Sequence, residues 1–78
     1  AQVQVYPNPA NEVLYVDLKD LENVSSIAIL DINGKQIQEL NKIQDGVNSF
    51  QIAGLKAGMY QVRIIQNGYQ YTQRVIKL

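Results

Sequence analysis

The sequence predicts an all-β fold, a seven-stranded antiparallel β-sandwich with Greek-key topology. Three observations lead there. Short runs alternate apolar and polar residues at period two, and no stretch keeps a helical period. Turn signals recur roughly every 8–12 residues, the spacing of a sandwich of short strands. Finally, Leu55-Lys56-Ala57-Gly58 feeds directly into Tyr60, Val62 and Ile64, which alternate with Met59, Gln61, Arg63 and Ile65. A Gly two residues before a strand-opening Tyr is the local pattern of a tyrosine corner. There the phenol hydroxyl bonds upstream backbone and pins a Greek-key crossing.

Gln2–Tyr6 alternates cleanly and is expected to form the first strand. Pro7-Asn8-Pro9-Ala10-Asn11 ends it, since each proline removes a donor and holds the residue before it extended. Val13–Leu18 is the second strand, with Leu14, Val16 and Leu18 on one face. Lys19–Ser25 is polar and loop-like. Ser26–Ile32 is the third strand, nearly continuous in apolar residues and so expected to be covered on both sides. Asn33-Gly34 then signals a type I′ hairpin turn, which needs positive φ at both central residues.

Lys35–Leu40 follows as the fourth strand, anchored by Ile37. After a polar turn, Val47–Ala53 is the fifth, with Phe50 and Ile52 facing one way. The Leu55–Arg63 stretch opens the sixth. Asn67-Gly68 repeats the hairpin signal and pairs Gln66 with Tyr69, Ile64 with Tyr71, Val62 with Gln73 and Tyr60 with Val75. Pairs of aromatic and β-branched residues stabilise such a ladder by about 0.2–1 kcal/mol each. The Val62–Gln73 pair fits poorly, which leaves room for a bulge or slipped register. Tyr69–Leu78 is the seventh strand.

The 78 residues form one domain, residues 1–78. A chain this short buries only about 60% of its unfolded surface. A hydrophobic fraction of 46% against 18% charged excludes a disordered, charge-rich tail. Seven basic and seven acidic residues cancel, which excludes an electrostatic footprint for nucleic acid or anionic membrane. No apolar run approaches the roughly 20 residues of a membrane helix, so direct membrane insertion is not expected. With no Cys and no His, zinc, haem, thiol and imidazole chemistry lose their usual residues, and no cofactor is expected. The start at Ala1, without Met or a signal-peptide pattern, reads as a C-terminal or internal module of a larger protein.

Several acidic and aromatic groups are candidate sites. Asp31-Ile32-Asn33-Gly34 matches the opening of a calcium loop, but Glu39 comes too early to close it, and a hairpin turn explains the residues. Asp17, Asp20 and Glu22 gather around one loop with Lys19, as a solvated loop or a calcium site would. Glu12, Glu39 and the aspartates could supply a glycosidase pair, yet nothing sets two of them across a cleft. No catalytic or metal residue is therefore assigned, and the chain is not expected to be an enzyme. Tyr15 and Tyr69 are expected to be exposed and could stack on sugar rings, whereas Tyr60 and Tyr71 read as core or corner residues. Asn23-Val24-Ser25 is a glycosylation tripeptide too common to carry weight.

The motifs gain meaning together. Val5-Tyr6-Pro7-Asn8-Pro9-Ala10 opens the domain, followed by Leu14-Tyr15-Val16. Ile27–Ile37, with Asp31-Ile32-Asn33-Gly34-Lys35 at its centre, sits in the middle, then Gly46-Val47-Asn48 and Leu55–Ile64. Arg74-Val75-Ile76-Lys77-Leu78 closes the chain. In this order, over nearly the whole chain, the motifs resemble the type A C-terminal sorting domain of the type IX (Por) secretion system of Bacteroidota.

The resemblance implies an immunoglobulin-like sandwich, non-catalytic, at the C-terminus of a secreted cargo protein. It implies recognition by the outer-membrane translocon and a periplasmic shuttle. Cleavage by a sortase-like surface peptidase, at or before the first strand, and attachment of the cargo to an anionic lipopolysaccharide would follow. The domain would be periplasmic in transit, then at the outer membrane, the cell surface or outside. Pro7, Asn8, Pro9, Asp31, Gly34, Lys35, Gly58 and Tyr60 match the family motifs. Lys77 and Leu78 match the terminal basic-apolar segment, while Gln73 and Arg74 stand where two basic residues are common.

The last strand is expected at the edge of its sheet, open to β-augmentation and, in isolation, to edge-to-edge dimers. Receptor recognition is accordingly expected at Asn67, Gly68, Arg74, Val75, Ile76, Lys77 and Leu78. The rival reading is a carbohydrate-binding or adhesive accessory module that uses Tyr15 and Tyr69.

Overall fold

A computed structural model describes residues 3–78; the expected strand start at Gln2 lies outside the described residues. The described residues form seven strands: β1 (Gln4–Tyr6), β2 (Val13–Asp17), β3 (Val24–Leu30), β4 (Gln36–Glu39), β5 (Val47–Gln51), β6 (Gly58–Gln66) and β7 (Tyr69–Lys77). They build two antiparallel sheets, ordered β1-β2-β5 and β4-β3-β6-β7. The β2–β3, β4–β5 and β5–β6 connections each pass from one sheet to the other.

The period-two pattern explains the core. Leu14, Val16, Phe50 and Ile52 from one sheet meet Ile27, Ile29, Val62, Ile64 and Val75 from the other, all buried. Each such side chain contributes about 1.5–3 kcal/mol when fully buried. β3 lies between β4 and β6, and every residue from Ser26 to Leu30 is buried, as the unbroken apolar run anticipates. Among the polar residues, Asn48 is buried and exchanges hydrogen bonds with the backbone of Gln44, at 2.8 and 2.9 Å. That bond pair shapes the loop before β5.

The Asn67-Gly68 hairpin forms as expected. Both residues have positive φ, 50° and 81°, and the ladder runs unbroken from Gln66–Tyr69 to Gly58–Lys77. No bulge or slip relieves the Val62–Gln73 pair, because Gln73 is exposed and needs no apolar neighbour.

The Asn33-Gly34 turn differs. Asp31 N–H donates to the Lys35 carbonyl at 2.8 Å, so the loop holds three residues, and of its residues only Gly34 has positive φ. The Asp31 carboxylate decides this. Its Oδ1 accepts the amides of Asn33 and Lys35 at 2.9 and 2.8 Å, an Asx turn that outcompetes the tighter hairpin. β3 consequently ends at Leu30, and Ile32 stands 75% exposed at the loop tip. Ile37 is not the anchor of β4. A register shift, Ile29 to Gln38 but Leu30 to Gln36, leaves Ile37 unpaired and exposed. Leu40 serves instead, donating to Ile27 at 3.0 Å and packing on the core.

The tyrosine corner is present. Tyr60 Oη donates to the Lys56 carbonyl at 2.7 Å, across the turn that enters β6. Gly58 sits at φ 151°, where a side chain is strained even though a Cβ would meet nothing within 4 Å. Gly58→Ala should therefore cost about 1 kcal/mol or more, and Tyr60→Phe about 0.5–1.5 kcal/mol, in urea unfolding. Wild-type midpoints for both would mean that the corner is an ordinary turn.

Candidate functional site

The segment most tied to function by sequence, Arg74–Leu78, is the second half of β7 and the residue after it. β7 is an edge strand whose one paired neighbour in the sheet is β6. Val75 and Lys77 point into the sandwich and are buried, while Arg74, Ile76 and Leu78 point outward and are exposed. The stem of Lys77 lines a small gap in the core wall with Leu55, Tyr60 and Val75. Its ammonium donates to the Leu78 carbonyl at 2.6 Å. Lys77 therefore behaves as a snorkelling core residue.

The outer edge here is covered. Ala10 N–H donates to the Ile76 carbonyl at 2.8 Å, and Leu78 N–H donates to the Ala10 carbonyl at 2.9 Å, a short parallel bridge. Asn8 completes it: Nδ2 donates to the Arg74 carbonyl at 3.1 Å, and Oδ1 accepts Ile76 N–H at 3.0 Å. The expectation of an open edge at Lys77-Leu78 is thus corrected. The Pro-Asn-Pro loop leaves β1, which belongs to the other sheet, and crosses to β7. Pro7 and Pro9, both in cis peptide bonds, have no N–H to leave unpaired on that crossing. Asn8 is the residue between them that reaches β7.

The expected recognition residues do not form one patch. Asn67 and Gly68 are exposed at the far end of β7, and nine residues of strand hold them roughly 30 Å from Leu78. The family-motif residues do converge. Leu30, Gln61 and Arg74 share one row across the sheet, so the Asp31–Lys35 loop lies at the same end as Gly58, Tyr60 and Arg74–Leu78. Asn8 and Ala10 join them through β7.

Sequence reasoning missed two residues at this end. Met59 pairs with Ile76, and Ile32 lies two residues beyond Leu30, in the loop at this end of the sheet. Ile32, Met59, Ile76 and Leu78 are 75%, 43%, 46% and 63% exposed. Singly exposed apolar residues are ordinary, but here four lie toward one end of the sheet. The available signal was Asp31, whose side chain ends β3 one residue before Ile32.

The other candidates separate. Tyr15 stacks on Tyr6 across β1 and β2, with ring centroids 5.4 Å apart, whereas Tyr69 lies in the opposite sheet. Tyr71, expected in the core, is 45% exposed and donates to Gln66 Oε1 at 3.2 Å, since the sandwich is open beside it. Among the described residues no three His, Cys, Asp or Glu side chains cluster as metal ligands would. Asp17 instead accepts Lys19 N–H at 2.9 Å and pairs with its ammonium at 3.4 Å. The backbone bond first, then the Lys19 side chain, hold the Asp17 carboxyl below its ordinary value.

A family model described as "Secretion system C-terminal sorting domain" matches residues 4–78. The chain is also 36% identical over 81 residues to Karilysin of Tannerella forsythia. That alignment covers 91% of this chain and 17% of Karilysin, so the chain spans about a sixth of this relative's length.

Two measurements follow from the geometry. Asn8→Ala strips two bonds from β7 and should cost about 1–3 kcal/mol, with faster amide exchange at Ile76 than at Val75. Asp17 is lowered when folded, so its contribution is full above the unfolded carboxyl value of 3.8 and fades as pH falls further. In acid unfolding, Asp17→Asn should flatten the pH dependence below about pH 4; an unchanged slope would remove Asp17 from the account.

Proposed function

The chain belongs to the type IX secretion system C-terminal sorting domains, and from that premise we propose how it is read. Its family role is a C-terminal address for export to the cell surface or the extracellular space, through contact with the secretion machinery. In our reading the domain takes no part in catalysis and presents a shape. The strand order supports an immunoglobulin-like Greek key, with the fourth strand joined to the third.

The observation that carries the proposal is the convergence of the motif residues on one sheet end. Ile32, Met59, Ile76 and Leu78, with Arg74 beside them, form the surface that the translocon and its shuttle bind. Val75 and Lys77 hold that surface from within. Asn8, Pro9 and Ala10 fix it from the side, and the Tyr60 corner fixes the strand that pairs with it. Asn67 and Gly68 form a separate contact at the other end of β7. Transit through the periplasm, removal by a sortase-like peptidase at or before β1, and lipopolysaccharide attachment of the cargo complete the proposed route.

A secreted reporter fused to the domain tests this. The wild-type fusion should reach the medium, and deletion of residues 74–78 should leave it in the periplasm. Because that deletion also removes core, the decisive variant changes the surface alone: Ile32→Ser, Met59→Ser and Ile76→Ser together. It should unfold near the wild-type midpoint yet export about tenfold less. A Tyr6→Ser, Tyr15→Ser control, on the opposite sheet, should export normally. Full export of the triple variant would refute the proposed surface.

A further inference from the structure

The edge of β7 is covered along only half its length. Arg74 C=O, Ile76 N–H and C=O, and Leu78 N–H point away from β6, toward Asn8 and Ala10. By the alternation of an antiparallel ladder, the N–H and C=O of Gln70 and Thr72 point the same way. Among the described residues nothing bonds them. The stretch Tyr69–Gln73 also lacks every device that normally blocks strand pairing: it has no proline, no charge and no bulge.

Beside this open edge the sandwich gapes. β1 and β7 are edge strands of opposite sheets that meet at Asn8 and Ala10 and diverge from there. A cleft of about 170 Å³ opens between them, walled by Val5, Leu21, Val62, Ile64, Tyr71 and Gln73. None of these is charged. The opposite seam, between β4 and β5, is bridged by Gln38 Nε2 donating to the Gln51 carbonyl at 3.1 Å. Among the described residues, the β1–β7 seam combines unpaired backbone with a recess lined by Val5, Val62 and Ile64.

We propose that the Tyr69–Gln73 edge and this cleft form an acceptor site for one extended segment of a partner protein. The segment adds as a strand to β7, its backbone bonded to Gln70 and Thr72. Its alternate side chains, apolar and uncharged, fill the cleft against Val62 and Ile64. The backbone periodicity selects a strand, and the neutral lining selects an uncharged one. A second copy of this chain pairing through the same edge is told apart by its concentration dependence. The Asn8 crossing caps one end of the site and so sets how far the added strand extends. This site lies away from the Ile32–Ile76 surface, and the inference does not rest on the sorting reading.

The test is a titration of the isotope-labelled domain with a capped heptapeptide of alternating valine and threonine, with lysine at each end for solubility. Amide shifts and slowed exchange are expected at Gln70, Thr72 and Arg74, and methyl shifts at Val5 and Ile64. Thr72→Pro deletes an outward N–H while sparing the bonds to β6, and should weaken binding about tenfold or more; Thr72→Ala should bind normally. The same peptide N-methylated on its pairing edge should lose binding by a similar factor, without any change to the protein's fold. Absence of shifts on β7, equal shifts at β4 or β5, or undiminished binding by the methylated peptide would overturn the site. So would a concentration-dependent dimer that occupies the same edge.

Discussion

The structure depends on how the outer edge of its last strand is satisfied. A two-sheet sandwich has four edges, and each carries backbone groups that water or a partner must meet. Here residues 4–10 meet that problem. β1 pairs with β2 in one sheet, and the same chain then crosses to bond β7 in the other. Two proline rings make the crossing without stranded donors, and one asparagine side chain supplies both a donor and an acceptor. The bonds tie the beginning of the domain to its end, residues 66 and 68 positions apart. A small core gains most from such long-range ties, since it has little apolar area to spare.

This constraint sorts the terminal segment into two roles. Alternation sends Val75 and Lys77 inward and leaves Arg74, Ile76 and Leu78 on the surface. A lysine that looks from its chemistry like a recognition charge is held by its methylenes in the core wall. Beside Arg74, the exposed apolar residues at this end come from three separate parts of the chain, near the corner at Tyr60 and the cover at Asn8. An address that is read as a shape requires this kind of presentation. Preorganised side chains lose little entropy when a receptor binds them. The charge count would not have pointed there, because seven bases and seven acids cancel over the chain.

The same edge logic separates the two halves of β7. Toward the chain end every outward backbone group from Arg74 C=O onward has a partner, and the sandwich is shut. Toward the hairpin the groups have no partner among the described residues, and the sheets stand apart over Val62 and Ile64. One strand thereby carries a sealed end and an open end. The hydrogen bonds of the first loop set the boundary between them.

Much of the fold was legible because its signals are local. Alternation placed the strands, and Asn67-Gly68 determined its hairpin and with it the whole register of β6 and β7. Gly58 and Tyr60 specified the corner, since the bond spans only four residues. The family, too, was legible in the order of the motifs. Asn33-Gly34 misled because a stronger local group, the Asp31 carboxylate, took the amides that a two-residue turn leaves free. That single competition moved Ile32 from a buried strand to the surface and hid it, with Met59, from the sequence reading. The partner of β7 was beyond any local signal. Asn8 and Ala10 lie in a loop that pattern alone marks as an interruption, and only the packing of two sheets brings that loop to residues 74–78. Sequence by itself determined the strands, the turns and the kinship. Tertiary structure decided which edge is closed, which residues show, and where a further strand can enter, because those depend on contacts between segments that no local rule relates.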